Sequence, residues 1–173
     1  MASGPTHDLI ASTTLASAAN SITFSSIPQT YTDIVSVWYA PSVTGNGQDI
    51  FCRVNGATGV YGFQSFDGYN TVTGARSLSG GTNAIPGFQY GYTSTSNPFF
   101  ITSNFSNYSN TTFHKNINSM VQSGYSVSNL LPVTTNISVY QNVSAITSLQ
   151  FFIGGSLDMA IGTVISLYGI TAA

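Results

Sequence analysis

The stretch Ser21–Ser25, SITFS, alternates hydroxyl-bearing and apolar residues. It places Ile22 and Phe24 on one face and Ser21, Thr23 and Ser25 on the other, the two-residue period of a strand with one wet face. No 12-residue amphipathic helical pattern occurs anywhere in the 173 residues. Val, Ile, Thr, Tyr and Phe dominate the ordered-looking runs, which favours strands. The candidates are Leu9–Leu15, Ser21–Ser25, Asp33–Ala40, Asp49–Val54, Gly59–Asp67, Phe99–Ile101, Ser109–Asn116, Thr134–Val139, Ser148–Ile153 and Thr163–Ile170. Pro28 breaks the second of these, and Gly45-Asn46-Gly47 and Asn55-Gly56 are tight-turn signals of the hairpin type. Asp33–Ala40 is apolar on both faces, with Ile34 and Trp38 on one and Val35, Val37 and Tyr39 on the other. Such a strand is central, or has one face covered by a second sheet or a subunit. Gly68–Asn97 is rich in Gly, Ser, Thr, Asn and Tyr and predicts long loops, while Asn118–Val127 has room for one helical turn. The last two strands, separated by GGSLDMAIG, predict a hairpin with a longer loop. Short strands with turns every 8–12 residues predict an all-β fold, an antiparallel β-sandwich, jelly-roll-like, with an extended N-terminal arm. The arm is residues 1–8, broken by Gly4 and Pro5, and residues 9–173 form a single sandwich domain.

Charge narrows the partners. Charged residues are 5% of the chain: Arg53, Arg76, Lys115, five Asp and no Glu, with a formal net charge of −2. Soluble domains average about 25% charged residues. Three separated cations are too few to neutralise a run of phosphates or hold a membrane surface, so neither nucleic acid nor membrane is an expected partner. The same balance leaves little repulsion between copies, so assembly is not opposed electrostatically. No apolar run reaches the roughly 18–20 residues of a bilayer span, and MASGPTHDL lacks the features of a signal peptide. The single Cys52, in the apparent strand DIFCRV, reads as a small buried hydrophobe.

The residues supply little chemistry. Asp8, Asp33, Asp49, Asp67 and Asp158 form no local acid–base pair, and Asp33 reads as satisfying a turn. His7 and His114 are too few for a metal site within one chain. Neither a G-x-S-x-G elbow nor a phosphate loop followed by Lys is present. The chain is therefore read as a non-enzyme without cofactor, metal or catalytic residues. Tyr69, Tyr90, Tyr92 and Tyr108, which together with Tyr61 lie among Asn, Ser and Gly, have the make-up of recognition loops. They are candidates for contact with a glycan or another partner.

Three pieces carry a resemblance: SSIPQTYTDIV (Ser25–Val35), RVNGATG (Arg53–Gly59) and the ending AITSLQFF…ISLYGI (Ala145–Ile170), with LIASTTL (Leu9–Leu15) ahead of them. They resemble a family of small structural proteins of tailed bacteriophages. The resemblance covers both ends and the first third of the chain, whereas residues 69–135 match poorly. It implies a place on the outer surface of a virion assembled in the host cytoplasm, most readily as a capsid decoration or cement protein that bridges capsomers. The alternative is a tail, baseplate or fibre component that binds a host-surface glycan. The implied partners are further copies of the chain, as a homotrimer, and the major capsid protein or other virion proteins. Family members often carry a basic residue in the strand after TYTD. This chain has Ser36–Tyr39, SVWY, there, which makes Trp38 and Tyr39, with Pro5 and His7 of the arm, the candidate capsid or subunit contacts.

Overall fold

The computed structural model describes residues 6–45, 49–69, 72–81, 85–88, 95–123 and 133–171, and for 67–69, 72–81, 85–88 and 123 the backbone alone. Its strands are β1 (His7–Thr14), β2 (Ser21–Phe24), β3 (Asp33–Ala40), β4 (Ile50–Val54), β5 (Tyr61–Tyr69) and β6 (Val72–Gly81). They continue as β7 (Ile85–Phe88), β8 (Phe99–Phe105), β9 (Lys115–Ser123), β10 (Val133–Tyr140), β11 (Leu149–Ile153) and β12 (Val164–Ile170). The chain pairs its outer parts first. β1 runs antiparallel to β12, β2 to β11, β3 to β8 and β4 to β7. β12 also pairs with β3 and β11 with β4. Two antiparallel sheets result, one of eight strands in the order β1-β12-β3-β8-β9-β10-β5-β6 and one of four in the order β2-β11-β4-β7.

The apolar faces of the two sheets meet in one core. Trp38 of β3 stands edge-on to Phe99 at 5.3 Å within its own sheet and to Phe151 of β11 at 5.8 Å across the gap. Ile34, Trp38, Ile165 and Leu167 face Ile22, Val54, Leu149 and Phe151 in this layer, all buried. Edge-to-face rings add directional attraction to the burial of area. Cys52 is in the same core, where burial pushes its thiol well above the ordinary range. A thiol so placed is unreactive.

Contacts between segments distant in sequence lock the sheets. The Asn55 side-chain amide donates to Ala145 O at 2.8 Å, and its oxygen accepts from the N–H groups of Thr147 and Ser148 at 2.9 and 3.0 Å. Gln29 Nε2 bridges Ile27 O and Ile146 O. The Tyr31 ring lies on Gly169 so closely that a Cβ there would come within 2.3 Å of it. The Tyr108 hydroxyl donates to Pro28 O and accepts from Tyr31 N. Tyr61 folds its hydroxyl back onto the Val54 N–H at 2.9 Å, with Ala57 O also in reach. SSIPQTYTD, RVNG, AITS and SLYGI, separate in the sequence, are therefore neighbours in space.

The structure differs from several expectations, each for a local reason. His7 and Asp8 open β1, paired with Ile170 and Gly169, so the strand takes in the end of the predicted arm. Asn55 and Gly56 have the left-handed φ values of the expected tight turn, 51° and 67°. Even so, β4 and β5 diverge into different sheets, because Tyr61 turns the chain back over the turn. β11 and β12 likewise do not form the predicted hairpin, since each finds its partners in a different sheet. Much of the stretch expected as long loops is strand: β6 pairs with β5 in a nine-partner register and β7 pairs with β4. Main-chain bonds hold these strands where Gly and Ser hide the apolar period, and Pro86 is tolerated because β7 is an edge. Asn118–Val127 begins as the strand β9 rather than a helical turn. Ser109–His114 is a turn region instead of a strand, with Asn110 Oδ1 accepting from the N–H groups of Thr112 and Phe113. Asn46 and Gly47 lie outside the described residues.

Candidate interaction surface

Paired residues share a face of a sheet, so the strand registers define rows across the eight-stranded sheet. One inward row runs Ser36, Ser103, Ser119, Asn136, Ser65 through β3, β8, β9, β10 and β5. All five are at most 5% exposed. Ser103 and Ser119 share a hydroxyl hydrogen bond of 2.8 Å. Thr134 and Ser138 flank Asn136 on the same inward face of β10 and are also buried. Among the described residues their hydroxyls, and Trp38 Nε1, have no hydrogen-bond partner.

The outward face has the opposite character. Ten large apolar side chains are exposed among the described residues, and seven of them stand on this face. They are Val37, Phe66, Phe100, Met120, Val133 and Ile137, with Leu9 at the β1 edge. Met120 is 56% exposed at the centre of the sheet. Along β10 the alternation is regular but reversed from the usual rule, with hydroxyls and an amide inside and Val133 and Ile137 outside. The three central outward rows contain no Asp, Glu, Lys, Arg or His, and Asp33 and His7 stand only at the rim. A groove of about 280 Å³ crosses the face, lined by Val35, Thr102, Asn104, Asn118, Met120 and Thr135 among others. The smaller sheet differs. Its outward rings Phe51 and Phe152 stack at 5.2 Å beneath the Arg53 guanidinium, 4.7 Å from the Phe152 centroid, so a cation covers the apolar area.

Lys115 is the one charged residue buried in the core among the described residues. Its Nζ donates to Phe113 O at 2.8 Å and Val143 O at 3.1 Å, tying the β8–β9 and β10–β11 connections together. Desolvation lowers its pKa. Among the described residues no three His, Cys, Asp or Glu side chains are grouped as metal ligands.

The residues named from the sequence are dispersed. Pro5, Tyr90 and Tyr92 lie outside the described residues, as does the side chain of Tyr69, whose backbone closes β5. His7 is exposed at the start of β1, near Thr6 Oγ1. Tyr39 does lie on the outward face, its ring 4.8 Å from Phe100. Trp38 is 2% exposed and belongs to the core, where no partner reaches it. Tyr108 and Tyr61 are fully buried and spend their hydroxyls on backbone groups, so neither is a recognition residue. Phe66, Phe100, Met120, Val133 and Ile137 were not singled out from the sequence. The alternation in Thr134–Val139 was visible, but nothing in it says which side faces in.

No family model, curated protein or solved structure matches the chain.

Proposed function

We propose that this chain is a structural protein of a bacteriophage particle. In this reading it is a jelly roll that decorates the outside of the head and bridges capsomers as a cement protein. The strand order supports the jelly-roll reading. Setting aside the β5–β6 and β9–β10 hairpins leaves eight strands, of which the first pairs with the last, the second with the next to last, and so inward. In this reading they are one long antiparallel ribbon rolled into two four-stranded sheets. Jelly rolls also serve as lectin and cupin domains, so the fold alone does not select a viral role. The observation that carries the reading is where the resembling segments sit. The pieces similar to phage structural proteins are those whose contacts close the roll: Tyr31 on Gly169, and Asn55 on residues 145–148.

The mechanism is mechanical. A neutral apolar sheet face gains free energy by leaving water, at about 25 cal/mol per Å². Net charge of −2 does not oppose dense packing on a shell. Its partners are other copies of the chain and the capsid lattice. The test is quantitative mass spectrometry of purified particles, together with heat challenge of particles lacking the protein. Hundreds of copies and a lowered inactivation temperature are expected, consistent with closed capsid symmetry. A copy number of tens, or unchanged heat resistance, overturns the cement role.

A further inference from the structure

We propose that the outward face of the eight-stranded sheet, from β1 to β5, docks a second copy of this chain, sheet against sheet about a two-fold axis. The inference rests on the assembly reading above and adds the surface, the partner and the geometry.

Three observations select a second copy as the occupant. The first is size. Seven strands about 4.8 Å apart, each about seven residues long, make a face of roughly 700 Å² before corrugation. A stable complex buries about 800 Å² per partner. The second is charge. The central rows carry no ionisable side chain apart from tyrosine, so like faces meet without repulsion, and nothing on the face selects an acidic or basic partner. Asp33 and His7 supply the polar rim that ordinary interfaces have.

The third is shape. The middle outward row reads Val37, Thr102, Met120, Thr135, Phe66, large and small in strict alternation across β3, β8, β9, β10 and β5. Beyond Val37 it continues to the small Ser166 of β12. A two-fold axis lying parallel to the strands, between β8 and β9, sets each large residue of this middle row over a small one, and in the flanking rows sets Val35 over Ile137 and Tyr39 over Val133. Met120 then meets Thr102 of the second copy, Val37 meets Thr135, and Phe66 meets Ser166. Two faces that alternate in this way interdigitate, as sheets do across the roughly 10 Å of a sandwich. The contact is isologous and produces pairs, in place of the trimer expected of a decoration protein.

The experiment uses the purified full chain in sedimentation equilibrium from about 1 to 100 µM, the range in which standard-sized interfaces are populated. A dimer is expected for the unaltered protein. Met120→Lys and Ile137→Lys place an unpaired charge in the buried contact and are expected to weaken association at least about 100-fold. At concentrations low enough that the parent is also a single chain, their thermal unfolding is expected to match the parent, because both side chains are exposed there. Val143→Lys and Ile161→Lys, at exposed apolar positions off this face, are expected to leave the dimer intact. A Met120→Cys variant treated with a bismaleimide of about 10 Å reach is expected to give a covalent dimer, since Cys52 is buried and does not compete. A monomer at 100 µM, a trimer, or association insensitive to Met120→Lys overturns the proposal. Failure of the virion reading would show instead as absence of the chain from purified particles, with the dimer unaffected.

Discussion

The strands that form the two facing sheets (β1–β4, β7, β8, β11 and β12) and the hairpin extension of the larger sheet (β5, β6, β9 and β10) use the same two-residue alternation differently. In the facing sheets, β3, β11 and β12 point Ile34, Trp38, Phe151, Ile165 and Leu167 inward. In the extension, β10 points Thr134, Asn136 and Ser138 inward and Val133 and Ile137 outward. The facing sheets hold most of the apolar core, although Ser36 and Ser103 are buried in them and Val37 and Phe100 stand outside. The extension is mixed: Tyr61, Phe63, Ile117, Val121 and Tyr140 are buried, while Ser65, Ser119, Thr134, Asn136 and Ser138 share the inward face and Phe66, Met120, Val133 and Ile137 stand outside. Apolar residues exposed together in this way mark an interaction surface rather than a fault in the fold.

The largest test of this contrast is Trp38→Ala. Removing the indole empties the gap between Phe99 and Phe151, and a loss of about 3–5 kcal/mol is expected in urea unfolding. If Ile137→Ala costs as much in the isolated chain, the division between the two regions is wrong.

Next is Gly169→Ala. The added Cβ runs into the Tyr31 ring, and a loss of about 1–3 kcal/mol is expected. The double variant with Tyr31→Ala should recover part of that loss, which a thermodynamic cycle reads directly.

Alkaline pH probes the buried hydroxyls of the core and its thiol. Burial raises the pKa values of Tyr61, Tyr108 and Tyr140, and that of the Cys52 thiol. In the unfolded chain these groups lose their protons near pH 10 and pH 8.5 respectively. The folded chain retains its protons there, so unfolding releases protons and stability falls as pH rises past those values. Lys115, with its lowered pKa, acts in the opposite sense below pH about 10.4, but it is one group against four. The urea midpoint is expected to fall steadily from pH 9 to pH 12, and a flat profile would contradict the buried placement of these side chains.

The smallest effects belong to the extension's polar face. Ser119→Ala leaves the Ser103 hydroxyl without its partner and is expected to cost about 1 kcal/mol. Thr134→Val removes a buried hydroxyl that has no partner among the described residues, and is expected to be neutral or to stabilise by up to about 1 kcal/mol. Destabilisation by Thr134→Val would show that this face is held by hydrogen bonds after all.

Much of the fold was legible because strand chemistry is local. The alternation of Ser21–Ser25, the Pro28 break and the Asn55-Gly56 turn all describe what neighbouring residues do to one backbone. β6 and β7 were missed because Gly and Ser carry no apolar signal, and a strand held by main-chain bonds needs none. The candidate surface was nearly invisible. Of the candidate contacts only Tyr39, and His7 at the rim, lie on it; Phe66, Phe100, Met120, Val133 and Ile137 were not singled out, and Trp38, one residue before Tyr39, points the other way.

By itself, the sequence determined that the chain is built of strands, where most of them lie, and that almost no charge is available to keep copies apart. Those properties follow from side-chain type and spacing, which act over a few residues. Only the tertiary structure decided which face of each strand looks inward, that β4 and β5 part into different sheets, and that Met120, Phe66 and Val37 fall in one row. A period of two is unchanged by turning a strand over, so facing is set by register with partners far along the chain.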